Sequence, residues 1–353
     1  MRILREAVAM RERGHKVSFA VQIGAKLVAR AQERGFDVFE LAFSKRAAPW
    51  TIPVLVRICK QRGVELINTH SSLDAWLGGI AGRIAGVPLI RTRHLSTPTR
   101  PGLNSRLLYG KLADYVVTTC SAIIPSICSQ GGLSSERVCC IPTGIEPKEL
   151  IPSIEEVEAF RQQRGIAPRD ILIGTACVVR SWKGIPDFIR TAGLLRHREE
   201  LKWVIVGGGY LDMYRPLVTE LGLSHKVQFT GHLDTPFAAI RAMDVFALLS
   251  SANEGISQAS LQAAYLERPL ITTSVGGLPE ICLEGHTGFV VPVHSPESVA
   301  RAVERFAGSP ALRMAYGSRA KALVLEKFTF ADTLNAMERV YSFLKNKVDK
   351  KIK

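Results

Sequence analysis

Short apolar runs alternate with amphipathic stretches of about ten residues along nearly the whole chain. The runs 16–22, 37–42, 65–68 and 88–92 predict strands, and 3–13, 26–34, 53–62 and 74–85 predict the helices between them. Strands alternating with helices specify a parallel sheet with right-handed crossovers, so the first half reads as a doubly wound domain. A Pro- and Gly-rich loop (97–102) is followed by helix 105–112, strand 114–119, helix 123–130 and strand 138–141. Residues 146–160, charged and Pro-bearing, read as a linker. The alternation then restarts with strands 171–178, 202–206, 227–230, 245–249 and 270–273, and helices 185–196, 211–221, 236–242 and one beginning near Ser257. Residues 330–348 have the length and apolar spacing of a last helix. At 353 residues, two cores are expected, 1–150 and 151–329, giving an α/β architecture of two Rossmann-like domains facing across a cleft.

Polar residues gather at the predicted strand ends, most densely over Ser250–Val291. Glu254 and Gly255 lie in a loop before a helix whose first turn carries Ser257, Gln258 and Ser260. Amides at such a helix start lack intrahelical partners and collect an anion such as a phosphate. Glu254 and Gln262, eight residues apart, bracket the first turns from loop and helix, an arrangement that can hold the two ends of a nucleotide sugar. The helix should close at Glu267-Arg268, before Pro269. After strand 270–273, Gly276-Gly277 forms a turn into another helix with Pro279 in its first turn. These polar groups share one rim, where open α/β sheets bind ligands.

The stretch resembles the signature of retaining family-4 glycosyltransferases of the GT-B fold (glycosyl transferases group 1). There Glu-Gly-Phe-Gly starts a helix, a second Glu follows eight residues after the first, and Val-Gly-Gly-x-Pro-Glu comes later. Glu254, Gly255, Gly276, Gly277, Pro279 and Glu280 match; Ile256 and Ser257 replace Phe-Gly, and Gln262 replaces the second Glu. Pro142-Thr143-Gly144-Ile145 resembles the family's turn before its interdomain linker, and the family's last helix crosses back to the first domain. The resemblance implies a bacterial enzyme that moves a sugar from a nucleoside diphosphate to a glycan or lipid-linked hydroxyl with retention. No metal or other cofactor is implied.

Carried over residue by residue, Arg180 and Lys183 resemble the cations that clasp the donor diphosphate, where two cations and helix amides can stabilise the leaving group. His94 resembles the Thr-x-His position whose imidazole meets the transferred sugar, and His70, at the preceding strand end, could touch sugar or acceptor. Glu254 is expected to accept hydrogen bonds from sugar hydroxyls, with Gly255, Ile256, Ser257 and Gln262 completing the donor site. The Gln262 amide offers one acceptor and one donor where a carboxylate would take both ribose hydroxyls. Gly207-Gly208-Gly209 fails as a dinucleotide fingerprint because position 212 is Asp; it resembles the family's strand-end turn that leaves room for the donor. The family opens with a strand and a Gly-Gly loop, whereas Arg2-Ile3-Leu4 runs straight into the first helix. A central strand is therefore expected to be missing, with the true start upstream or the gene truncated, and neighbouring strands left without partners.

Charge adds a constraint on the partner. Residues 1–150 hold 21 Lys and Arg against 11 Asp and Glu, ten of the fourteen net positive charges. A basic first half suits an anionic membrane surface, touched peripherally, or a phosphorylated glycan such as lipopolysaccharide core. The tail Lys345, Lys347, Lys350, Lys351 and Lys353 reads as a solvated charge run. Aromatics are not interleaved with the basic residues, which argues against nucleic acid. The seven scattered cysteines lack metal-ligand spacing and read as reduced core thiols. No apolar run spans a membrane and the N-terminus lacks a signal-peptide core, so a cytoplasmic protein is expected. Two rivals stand beside the transferase reading: a catalytically impaired binding or scaffold relative, motivated by the missing strand and Gln262, and another nucleotide-sugar enzyme such as an epimerase.

Overall fold

The computed structural model describes residues 2–94, 96, 97 and 99–352, with side chains described to residue 347. Pro98, in the loop 97–102, and Lys353, with the side chains of Val348, Lys350 and Lys351, all used in the sequence readings, lie outside the described residues. The chain forms two compact units: unit 1 comprises Met1–Thr143 with Ala331–Lys353, and unit 2 comprises Gly144–Phe330.

In unit 1 the order is α1 (Arg2–Glu12), β1 (Ser18–Gln22), α2 (Leu27–Gln32), β2 (Asp37–Leu41), α3 (Ala48–Gln61), β3 (Ile67–Thr69), α4 (Ser72–Ala85) and β4 (Leu89–Arg93). A helical turn, α5 (Leu103–Ser105), continues as a π-helix over Arg106–Leu112, where an ordinary helix was expected. Then come β5 (Tyr115–Thr118), α6 (Ile124–Gly131) and β6 (Val138–Cys140). All pairings are parallel, but the sheet is divided: β1 pairs with β2, and β3–β4–β5–β6 form a separate four-stranded sheet. Among the described residues, β1 and β3 each keep one edge without a strand partner.

Helix α4 shows how local sequence sets geometry. Ser71 and Asp74 make a reciprocal capping box at its start, and Gly86 adopts the left-handed conformation at its end. Its small residues permit close packing, since a Cβ at Gly82 would collide with the Val87 carbonyl.

Unit 2 runs α7 (Ile154–Gln163), β7 (Ile171–Ala176), α8 (Ile185–Leu194), β8 (Leu201–Val206), α9 (Arg215–Glu220), β9 (Val227–Gly231), α10 (Phe237–Ala242), β10 (Val245–Leu248), α11 (Gln258–Tyr265), β11 (Leu270–Thr273), β12 (Gly288–Val291), α12 (Pro296–Ala307) and α13 (Pro310–Lys327); α14 (Phe330–Ile352) follows. Its six strands form one parallel sheet in the order β12-β11-β10-β7-β8-β9. Leu172, Ile173, Val245, Phe246 and Leu270 are fully buried in the inner strands, and Phe188 meets Trp203 edge to face at 5.1 Å.

Several sequence expectations are corrected here. The linker 146–160 contains the start of α7, nucleated by a capping box between Ser153 and Glu156. The helix expected over 211–221 is a 3₁₀ turn (Leu211–Met213) followed by the shorter α9, with Pro216 in its first turn. The segment after Gly277 makes only a 3₁₀ turn, Leu278–Glu280. Helix α11 ends two residues before the expected stop, because Glu267 turns left-handed (φ 61°) and pairs with Arg241 and Lys321. The elements β12, α12 and α13 carried no separate expectation.

Candidate functional site

In unit 2 the chain leaves β7 towards β8 and β9, then returns to place β10 on the other side of β7. Connections that depart in opposite directions leave a crevice beyond the strand ends at this switch point. The loop after β7 carries Arg180 and Lys183; the loop after β10 carries Glu254. Lys183 Nζ donates to Glu254 Oε1, and Ser250 Oγ donates to the same oxygen at 2.8 Å. Sequence reading assigned Lys183 and Glu254 to different parts of a donor; in this structure they are bound to each other. Glu254 is 5% exposed, and both of its side-chain bonds fall on Oε1, which leaves Oε2 as an acceptor.

The loops bearing this pair are tied together by backbone. Ser251 N donates to Trp182 O at 2.8 Å, Gly277 N donates to Glu254 O at 3.2 Å, and Thr273 Oγ1 donates to Ser250 O. Gly184 (φ 69°) and Gly276 (φ 57°) are required at the crossings: a Cβ would strike the carbonyl oxygens of Leu249 and Glu254 respectively. Cys177 lies beside the ion pair, and burial pushes its thiol up to about 11, with Lys183 opposing and Glu254 reinforcing the shift.

Arg180 is turned elsewhere. Its guanidinium lies 4.9 Å over the Tyr210 ring and donates to its neighbour's carbonyl, Val179 O, at 3.2 Å. The glycines of 207–209 serve a close chain approach, because a Cβ at Gly207 or Gly209 would meet the Cys177 or Val179 carbonyl. Ser257 caps α11 by accepting from Ser260 N at 3.3 Å, so its hydroxyl is engaged at the helix start. The Ile256 side chain is buried at 7% exposure, which corrects its expected donor contact to one its backbone alone can make. Gly255 and Gln262 are half-buried beside it.

In unit 1 the two histidines at successive strand ends meet. His70 Nδ1 and His94 Nε2 are 3.0 Å apart, with rings nearly parallel at 18°. Burial is the main cause that lowers His70 to about 3, helped by His94 and Arg2, and lowers His94 to about 4, helped by Arg2. Both imidazoles are therefore neutral at neutral pH and can act as hydrogen-bond donors or acceptors without charge. Asp74 fixes the loop, accepting from His70 N at 3.0 Å and Ser71 N at 2.7 Å. Sequence reasoning missed Arg91 and Tyr109, although the Arg-Thr-Arg-His run places Arg91 in β4, three residues before His94.

Two cavities lie away from these residues: one of about 330 Å³ between β6 and α14, the other of about 440 Å³ between the start of α7 and Tyr265–Glu267. No helix among the described residues is long and apolar enough to cross a membrane.

The comparisons with known proteins divide the chain where the units do. Residues 156–323 match the family model of glycosyl transferases group 1, and residues 1–149 match that of glycosyltransferase family 4. The chain is 28% identical over 273 residues to a D-inositol 3-phosphate glycosyltransferase of Paenarthrobacter aurescens, covering 68% of this chain and 66% of that one. Among solved structures, a glycosyltransferase from Rickettsia africae superposes with TM-score 0.89 at 17% identity, covering 97% of this chain and 94% of that one. The Anabaena protein HepE, in complex with UDP and glucose, superposes with TM-score 0.80 at 20% identity over 96% and 94% of the two chains.

Proposed function

The chain belongs to the glycosyltransferases of group 1 and family 4, with the GT-B fold, and from that premise we propose that it moves a sugar from a nucleoside diphosphate to an acceptor hydroxyl with retention of configuration. The observation that carries the reading is the crevice between the β7 and β10 loops, where Lys183 and Glu254 are held together beside the start of α11. The donor diphosphate takes the Lys183 ammonium and the helix start, which stabilise charge on the departing phosphate without a divalent ion. Glu254 Oε2 accepts from sugar hydroxyls, and Gln262 reaches the nucleoside. As the bond from the anomeric carbon to the phosphate oxygen breaks, the acceptor oxygen bonds to that carbon on the same face, and its proton passes to the departing phosphate. His94, neutral, hydrogen-bonds the transferred sugar.

The UDP held by HepE supports a nucleotide sugar as donor. The phosphorylated acceptor in the name of the Paenarthrobacter relative, with the basic charge of residues 1–150, supports an anionic acceptor of the lipopolysaccharide-core kind at the cell envelope.

Thermal shift with UDP-, GDP- and ADP-sugars identifies the donor, since binding raises apparent stability with affinity and concentration. Lys183→Ala is then expected to lower the transfer rate about 10²–10³-fold, as removal of one stabilising donor does elsewhere. Transfer should survive a chelator and give a product with the donor's anomeric configuration by NMR. Unchanged rates in both Lys183→Ala and Arg180→Ala, or loss of activity with chelator, refute the proposal. One rival is a binder that does not turn over; folded full-length protein that binds a nucleotide sugar and neither transfers nor hydrolyses it decides for that rival.

A further inference from the structure

We infer that unit 1 contains an oxyanion site, built from Arg91 and the first turn of α4 at Ser72, that receives a phosphoryl group of the acceptor. The inference rests on the proposed function and on reading the basic first half of the chain as the part that meets an anionic acceptor.

Arg91 lies within β4 between Ile90 and Thr92, and only 6% of it is exposed. A guanidinium taken out of water requires oxygen partners or a counter-charge. Three other arginines meet that requirement, and Arg2, whose Nη1 is also buried without a hydrogen-bond partner, has Glu6 as its counter-charge. Arg137 donates to the carbonyls of Ala113 and Asp114, Arg268 to those of Leu266 and Met243, and Arg161 to three carbonyls and Asp244. Arg91 instead has one long contact, Nη2 to Ser72 Oγ at 3.4 Å, and a ring face, Tyr109, at 4.4 Å. Its Nη1 is buried with no hydrogen-bond partner.

Nearby charges do not supply the missing anion. Asp74 acts favourably on Arg91, but its two oxygens are engaged by the amides of His70 and Ser71. Arg93, which also approaches the Tyr109 ring, opposes the Arg91 charge. Burial lowers Arg91 below its ordinary value, the direction expected of a cation lacking its counter-ion.

The one polar atom that Arg91 reaches leads outward. Ser72 is exposed and opens a helix of fourteen residues. The Ser71 cap takes the Asp74 amide, so the amides of Ser72 and Leu73 keep no partner within the helix. The Arg91 guanidinium in contact with the Ser72 hydroxyl at a helix start makes a set of donors that suits a phosphoryl group, which arginine grips in two-point fashion.

Because the Lys183 crevice also attracts phosphate, the test uses full-length Arg180→Gln/Lys183→Gln protein, with inorganic phosphate as probe and unfolding temperature as readout. The expected result is a phosphate-dependent rise that persists in this background and needs at least tenfold more phosphate once Arg91→Gln is added. Ser72→Asp, which supplies a resident carboxylate, guards against misfolding of the Arg91 variant. It should raise the unfolding temperature without phosphate and abolish the phosphate response. The inference is overturned if the Arg180→Gln/Lys183→Gln protein shows no phosphate response, or if the response is unchanged by both Arg91→Gln and Ser72→Asp.

Vesicles of phosphatidylglycerol against phosphatidylcholine separate the sources of the group. Arg91-dependent vesicle binding assigns a lipid headgroup, and a phosphate response without vesicle binding assigns a soluble phosphorylated glycan. Nucleotide-sugar binding by the Arg91→Gln protein reads the donor site alone, so failure of the donor proposal is distinguishable from failure of this one.

Discussion

The Lys183–Glu254 pair places two charges in a largely buried crevice of unit 2. Removing one partner of a buried pair leaves an uncompensated charge, at about 3–5 kcal/mol when burial is complete. Lys183 keeps 17% of its side chain exposed, so Glu254→Ala is expected to cost about 2–3 kcal/mol in denaturant unfolding. Lys183→Met/Glu254→Met should cost less than Glu254→Ala alone, and equal or greater loss in the double variant would deny the coupling. The His70–His94 pair predicts a pH response of definite sign. Both imidazoles have folded values near 3 and 4, below the ordinary value of about 6.5, so the unfolded chain binds more protons across that window. Their contribution to stability is therefore full above pH 6.5 and lost as pH falls towards 4 and 3. His70→Asn should flatten the fall in unfolding temperature between pH 6.5 and 4; an unaltered slope refutes the assignment. Lys183, Glu254 and the two histidines were legible because they stand at strand ends in sequence. Ser250, Cys177 and Tyr210 were not, because what recruits them is a neighbouring loop that only the sheet brings close.

Among the elements, the turns at Gly184 and Gly276 are where backbone meets backbone. Gly184→Ala and Gly276→Ala combine a left-handed residue with a collision against a carbonyl oxygen. Each should lower stability by more than the roughly 1 kcal/mol of an ordinary left-handed glycine and weaken donor binding. Gly222→Ala serves as control, since its φ is 69° with nothing within 4 Å of the new Cβ. Denaturation curves of the three variants check the order, and equal midpoints would count against the tight crossing. The elements that sequence reading placed well, such as β11 at Leu270–Thr273, have buried apolar runs and a proline as punctuation. Those it misplaced obey local rules that periodicity does not report. Ser153 and Glu156 cap a helix inside a stretch whose charge suggested a linker, and Glu267 ends α11 early because Arg241 and Lys321 hold it.

For the whole molecule, the two units differ in how completely their strands are paired. Hydrogen exchange should report this: β8, flanked by β7 and β9, is expected to exchange at least about 10²-fold more slowly than β1, which has β2 alone. Nucleotide sugar should protect 177–184 and 250–258, and protection confined to unit 1 would contradict the donor proposal. The alternation of strands and helices, the two-part division and the polar rim after β10 were determined by sequence alone, because hydrophobic period and chain punctuation are local properties. The split of the unit 1 sheet was foreseen only through a family resemblance, since pairing depends on which strands lie side by side. Only the tertiary structure decided that Lys183 binds Glu254, that His70 and His94 share a contact, and that Arg91 is buried without an anion. Each of those facts depends on distances between residues far apart in the chain, and strand order in the sheet sets such distances.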